Sequence, residues 1–300
     1  MDGVELRHLR ALDAVAAAGT VTAAAARLHI TQPALSRTLA QLEARVGVRL
    51  VDRSSRRPAL TAAGTTLLGH ARAILAHLDA ALADTREVSR PLRLGYTCAV
   101  LGQQTVPLLR SWRRTHPHVP LEVVRHDSST AGLATGDADL AVLRTVPADR
   151  RIRTEALYTE GRVAALPDDD PLAGREQVLL AELTAGRELP LALWPETGTA
   201  SPELWPAGQR PARTVEVRNV DEWLNLIAIG GAFGVGAAGT AESHGHPGVR
   251  FVPVADAPAA TVYLARPAHP THPRTDEFRA AVRDVVSGGG DGGDGRASGA

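Results

Sequence analysis

Leu6, Leu9, Leu12 and Val15 recur in three-residue steps, a single apolar stripe over about three turns, and predict a first helix stopped by Gly19. Thr20 is placed to cap a short second helix over 21–28, with His29-Ile30 as a tight turn. Thr31 caps a third helix, whose Pro33 sits in the tolerated first turn and which Gly47 ends. On this helix Leu35, Leu39, Leu42 and Val46 form an inward stripe, while Gln32, Pro33, Ser36 and Arg37 share an adjacent polar face. Leu50 to Arg53 and Ala59-Leu60 read as short strands around the basic turn Ser54-Ser55-Arg56-Arg57-Pro58. A short helix, a tight turn and a helix opening on polar side chains form a winged helix-turn-helix. In that arrangement glutamine can pair with adenine, and arginine with guanine or phosphate.

Residues 62–90 form one alanine- and leucine-rich stretch in which Leu68, Leu75 and Leu82 recur every seven residues. Ala71, Leu78 and Thr85 fill the companion positions, so the pattern predicts a two-helix seam and a homodimer. From 91 to 286 short apolar runs alternate with helical patterns, which is the signature of an α/β fold. Strands are expected at Arg93–Tyr96, Leu121–Arg125 and Thr261–Ala265, with helices from the first strand to about His116, after His126–Thr130, and over Thr275–Val286. The glycine-rich segment 287–300 lacks the apolar content of a core and is expected to be a disordered tail. There is no internal repeat.

Composition sharpens this picture mainly by exclusion. The formal net charge is zero, yet nine arginines face five acids within residues 1–65, a net of +4 that suits an anionic partner for the head alone. All 33 basic residues are arginine, so no Walker-type lysine, Schiff-base lysine or pyridoxal-phosphate site exists. The single cysteine, Cys98, precludes an intrachain disulfide or a cysteine-based zinc cluster, and no serine elbow or metal motif accompanies it. These features argue against an enzyme and imply no cofactor or bound metal. The N-terminus has no signal-peptide core, and the most apolar window, Leu224 to Gly239, is too short and glycine-broken to span a bilayer. The expectation is a soluble cytoplasmic protein without a membrane partner.

The stretch from Leu6 through TQPALSRTLAQLE, GVRL and LTAAG resembles the DNA-binding domain of LysR-type bacterial transcriptional regulators, element for element. Ala11 and Leu12 stand where that family often carries aromatics, and Val51 replaces its common phenylalanine. The resemblance implies a double-stranded operator as partner, with Gln32, Pro33, Ser36 and Arg37 facing the groove. It also implies Thr31 at a phosphate and Arg53 and Arg56 as wing contacts. Farther along, the glycine–acid–strand element Gly136–Val142, the turn Asp169–Ala173 and the glycine-rich run Gly230–Gly236 resemble the family's effector domain. That implies two α/β lobes like those of periplasmic binding proteins, the first over 91–160 and 266–286 and the second over 161–265. A tetramer and a contact with RNA polymerase follow from the resemblance alone.

In such a fold a small molecule sits between the lobes, where strand-end loops expose backbone N–H groups. The candidates for holding it are Thr97, Cys98, Ser128, Ser129, Thr130 and Arg144 on one lobe, with Thr197 and Phe233 on the other. Hydroxyls with one arginine would suit a small carboxylate of unknown identity. Two alternatives stay open from the residues: a DNA-binding regulator that needs no ligand, and a metal-responsive one using His244, His246, His269 and His272. A peroxide sensor at Cys98 would lack a second cysteine to trap the sulfenic acid.

Overall fold

A computed structural model of the chain describes residues 3–52, 59–84 and 90–288. They divide into two compact units, the first built from residues 1–88 with 134–136 and the second from 89–133 with 137–300.

The first unit holds helices α1 (Leu6–Ala18), α2 (Val21–Arg27), α3 (Gln32–Val46) and α4 (Ala62–Asp84), with strands β1 (Val51–Asp52) and β2 (Ala59–Leu60). Thr20 and Thr31 cap α2 and α3 through hydroxyls that accept from Ala23 N and Ala34 N. Leu12 and Val15 of α1 cluster with Leu35, Leu39 and Leu42 of α3, Leu50 and Val51 close the core, and Leu9 is also buried. The stripes end sooner than their periodicity suggests. Leu6 and Val46, at the outer ends of α1 and α3, are exposed because no element lies beyond them.

One contact fixes the exit from the wing. Thr61 donates from its hydroxyl to Arg49 O, accepts there from Gly64 N, and donates its amide to Leu50 O. A Cβ on Gly64 would stand 2.0 Å from Leu50 O, so only glycine lets the first turn of α4 approach this carbonyl. Gly64→Ala is expected to cost about 1–3 kcal/mol of stability, read as a lowered denaturant midpoint of the head. An unchanged midpoint would mean that the approach is not required.

The linker helix differs from its sequence reading at its N-terminal end. Leu68 is buried with the α1 and α3 side chains, Ala71 is buried as well, and Arg72 forms an ion pair with Asp13 at 2.6 Å. Leu68 is therefore a core residue of the head and is not available to a seam. Leu75 and Leu78 are half-buried, whereas Ile74 and Leu82 are exposed. Thr85 lies outside the described residues.

In the second unit β3 (Leu92–Tyr96), α5 (Thr105–Thr115), β4 (Leu121–Arg125), β5 (Leu140–Leu143) and β6 (Ile152–Glu160) build the first lobe. The chain then crosses at Gly161 into β7 (Arg162–Pro167), β8 (Leu191–Leu193), β9 (Thr214–Glu216), α6 (Val220–Ala228), β10 (Phe233–Ala237), α7 (Ala238–Ser243) and β11 (Val249–Val254). It returns as β12 (Ala260–Pro267) and α8 (Thr275–Gly288). The sheets have the orders β4-β3-β5-β12-β6 and β11-β7-β10-β8-β9. β12 pairs along its whole length with β6, so residues 260–265, expected in the second lobe, belong to the first.

Three further differences concern boundaries. No helix follows His126–Thr130: Ala131, Gly132 and Gly136 take φ of 46°, 86° and 75°, and these left-handed residues leave a run of turns. The helix after β3 begins only at Thr105, after a buried loop and a 3-10 turn at Gly102–Gln104. At the other end α8 carries Ser287 and Gly288, placed in the tail by composition.

Candidate nucleic-acid interface and effector cleft

On α3 the apolar stripe turns into the core and leaves the opposite side free at its N-terminal end. Thr31, Gln32, Pro33 and Arg37 are exposed and Ser36 is half-buried, so the five residues form one accessible polar surface. Gln32 and Arg37 make no ion pair or side-chain hydrogen bond among the described residues, which leaves their donors for a ligand. Thr31 is already engaged as a cap through Oγ1 at 3.4 Å from Ala34 N. Arg53 and Arg56 lie outside the described residues.

Two residues that the sequence reading passed over hold this surface in place. Glu43, at the C-terminal end of α3, accepts from the amides of Leu50 and Val51 at 2.9 and 3.0 Å, which ties the wing strand to the helix. His8 is fully buried and accepts from Glu5 N through Nδ1 at 2.9 Å, with Arg45 Nη1 at 3.4 Å. A carboxylate next to Leu42 does not stand out by pattern, because nothing local distinguishes it from a solvated helix acid.

Between the lobes of the second unit lie two adjoining small spaces. A throat of about 10 Å³ is lined by Thr97, Cys98, Arg144, Thr145, Glu196 and Thr197. A second space of about 10 Å³ adjoins it through Cys98 and Thr197 and reaches Trp194, Thr199, Trp223 and Thr240. The structure thus brings together Thr97, Cys98, Arg144 and Thr197 from the expected set. Ser128, Ser129, Thr130 and Phe233 are not among the lining residues.

The reasons are local. Ser128 turns its carbonyl to the Thr97 hydroxyl at 3.0 Å and its own hydroxyl to Gly132 N, so both serve the loop. Ser129 is exposed and Thr130 half-buried on the same turn. Phe233 is buried in the core of the second lobe, edge-on to Trp205 with ring centroids 6.2 Å apart.

Arg144 departs from its expected role as the free cation for an anion. Its side chain is 1% exposed, and Nε donates to Glu160 Oε1 at 2.9 Å. Nη1 donates to the carbonyls of Ala99 and Val100. Burial alone would lower the guanidinium pKa, but the neighbouring Cys98 and Glu160 outweigh it and the pKa is raised, so the charge is permanent. Glu160 also accepts from Gly239 N at 2.8 Å, so the pair joins β5 and β6 of one lobe to α7 of the other. Glu242 reinforces this joint by accepting from Gln103 N at 2.9 Å, and His244 Nε2 donates to Cys98 O at 2.6 Å.

His244, His246 and His272 are separately engaged. His272 Nε2 donates to Arg90 O while its Nδ1 accepts from Arg274 N, in the first lobe, far in sequence from His244 in the second. Among the described residues no three His, Cys, Asp or Glu side chains come together as a metal site. No described helix is long and apolar enough to cross a membrane.

A capped helix-turn-helix with a two-stranded wing, joined through a long helix to a two-lobed α/β unit, defines a class of proteins that pair a DNA-binding head with a ligand-binding domain. The chain belongs to the LysR family. Residues 6–65 match the family model described as bacterial regulatory helix-turn-helix protein, lysR family, and residues 85–287 match the LysR substrate binding domain. It is 36% identical over 187 residues, 60% of this chain, to the uncharacterized HTH-type transcriptional regulator YnfL of Escherichia coli (strain K12). That match spans 63% of YnfL's length, somewhat less than two thirds. The crystal structure of CbnR, a LysR family transcriptional regulator, superposes with a TM-score of 0.67 at 26% identity, covering 94% of this chain and 99% of that one. Full-length CbnR complexed with its target DNA gives a TM-score of 0.54 at 27% identity, covering 94% of this chain and 100% of that chain.

Proposed function

We propose that this protein is a DNA-binding transcriptional regulator and not an enzyme, with α3 reading an operator and the interlobe cleft sensing a small molecule. The observation that carries the reading is the exposed Gln32, Pro33, Ser36 and Arg37 surface at the N-terminal end of α3, backed by the buried Leu35-Leu39-Leu42 stripe. A rigid helix whose N-terminal side chains are free can enter a major groove and present an amide and a guanidinium to base edges. CbnR's solved complex with its target DNA supports the same use of the fold here. One head covers one half-site, so the reading includes a homo-oligomer paired through the exposed face of α4.

Ligand sensing follows from the two lobes being joined at Arg144–Glu160–Gly239 and Gln103–Glu242. A molecule held in the cleft touches both sides and favours one lobe arrangement by the difference in its affinity for the two. Gln32→Ala is the direct test of reading. It is expected to cost about 1–3 kcal/mol in operator affinity and to relax preference at one base position. Titration against single-base operator variants measures both, and an unchanged preference at every position would remove Gln32 from the interface.

A further inference from the structure

The first lobe seats part of itself in the core of the second. Cys98, in the loop after β3, is 3% exposed and shares a cluster of buried residues with Ala165, Ala192, Trp194, Val220 and Trp223 of the second lobe. Its carbonyl accepts from His244 Nε2 at 2.6 Å, so backbone and side chain are both held from across the cleft. In the 3-10 turn that follows, Gln103 donates to Glu242 twice, from N at 2.9 Å and from Nε2 at 3.2 Å. Gly239 N donates to Glu160 Oε2 at 2.8 Å, and Glu160 is fixed in turn by Arg144. The spaces left between the lobes hold only about 10 Å³ each, roughly the room of one water.

Gly239 ties this closeness to the sequence. It lies in α7 without a left-handed φ, so its backbone does not call for glycine, and alanine is intrinsically the better helix residue. A Cβ there would stand 2.8 Å from both Arg144 Nη2 and Glu160 Oε2. Those two side chains are 1% and 8% exposed and have little space to yield. With the lobes apart, the same Cβ would meet neither. The closed arrangement accounts for glycine at this position, and the helix does not.

We propose that the sensing domain closes on itself without a ligand. Cys98 seated among second-lobe side chains, with the Glu160–Gly239 and Gln103–Glu242 bonds, forms a clasp, and a ligand of the cleft acts by opening the lobes and not by drawing them together. Only that last consequence rests on the cleft being the sensing site. Opening returns the clasp's donors and acceptors to water and exposes the apolar surface around Cys98, so the clasp opposes it. A ligand larger than a water molecule must break these contacts, and its apparent affinity is reduced by the fraction of molecules that are open.

Cys98 is the only cysteine of the chain, so its thiol reports the clasp without any introduced label. In the ligand-free full chain, its reaction with 5,5′-dithiobis(2-nitrobenzoate) is expected to be at least about tenfold slower than in the urea-unfolded chain. Glu242→Ala removes the acceptor of both Gln103 bonds from an exposed position. It should speed native labelling by about tenfold with an unchanged circular dichroism spectrum. Gly239→Ala should speed labelling as well, by wedging the lobes at a different joint, and if that variant does not fold, Glu242→Ala decides alone. Wild-type labelling as fast as in urea, or a folded Glu242→Ala that labels at the wild-type rate, would overturn the clasp. Operator affinity of the same variant reads the regulatory consequence separately. A shifted affinity is expected, whereas faster labelling with unchanged affinity would keep the clasp and remove lobe opening as the signal to DNA.

Discussion

Replacing Ile74 and Leu82 together with aspartate is expected to release monomers and to lower operator affinity by about 10²–10⁴-fold, the advantage of binding two half-sites as one unit. Both residues are large, apolar and exposed, at 49% and 43%, and Leu78 lies between them at four-residue steps on one face of α4. A charge placed at a packed helix pair loses its hydration without gaining a partner. The choice of positions matters. A charge at Leu68 would enter the core of the head and lower affinity by unfolding it, which says nothing about assembly. Sedimentation and a thermal melt separate the outcomes: a folded monomer supports the seam, and an intact oligomer with unchanged affinity removes α4 as the contact.

Asp139→Asn should destabilise the sensing domain by about 3–5 kcal/mol at neutral pH, the cost of removing one partner from a buried ionic cluster. The Asp139 carboxylate is fully buried and accepts from Arg90 Nη1 and Nη2 at 3.1 and 2.9 Å, from Arg93 N at 3.0 Å and from Thr271 Oγ1 at 2.7 Å. Burial alone would raise its pKa, but the bonds from Arg90, Arg93 and Thr271 outweigh it and hold the carboxyl well below the ordinary range. A depressed folded-state pKa contributes stability above the unfolded-state value, and that contribution is lost as pH falls through the folded-state value. Urea unfolding of the two proteins should therefore show a gap that is full at neutral pH and shrinks in acid. A gap independent of pH would show that the asparagine acts through packing and not charge.

The head was legible because its logic is local. The caps at Thr20 and Thr31, the stops at Gly19 and Gly47, and the Leu35-Leu39-Leu42 stripe each depend on residues within a turn or two. The exposed polar surface of α3 follows from the same helix by subtraction. The linker shows where periodicity stops helping: spacing identifies an apolar face of α4, but not that Leu68 packs on its own head while the side chains of Ile74 and Leu82 are exposed. In the cleft, strand-end position brings Thr97, Cys98, Arg144 and Thr197 to the lining of one small space. Their chemistry was hidden because Arg144 finds Glu160 sixteen residues away on the next strand. Phe233 looked like a loop residue after a glycine run, yet it opens β10 and faces Trp205. Trp194 and Glu196, close to Thr197 in sequence, carried no local signal beyond that neighbourhood.

The central claim is that α3 enters a major groove, twice, from a paired molecule. Dimethyl sulfate protection reads that directly, because it methylates guanine N7 on the major-groove edge. On an operator recovered by selection from random duplexes, the full chain should protect two sets of guanines. Their centres should be separated by one helical turn of about 10–10.5 base pairs, or a multiple of it, on one face of the duplex. In Gln32→Ala the protections should weaken at the positions whose base preference is relaxed. A single protected set, or high affinity with no major-groove protection at all, would contradict the account.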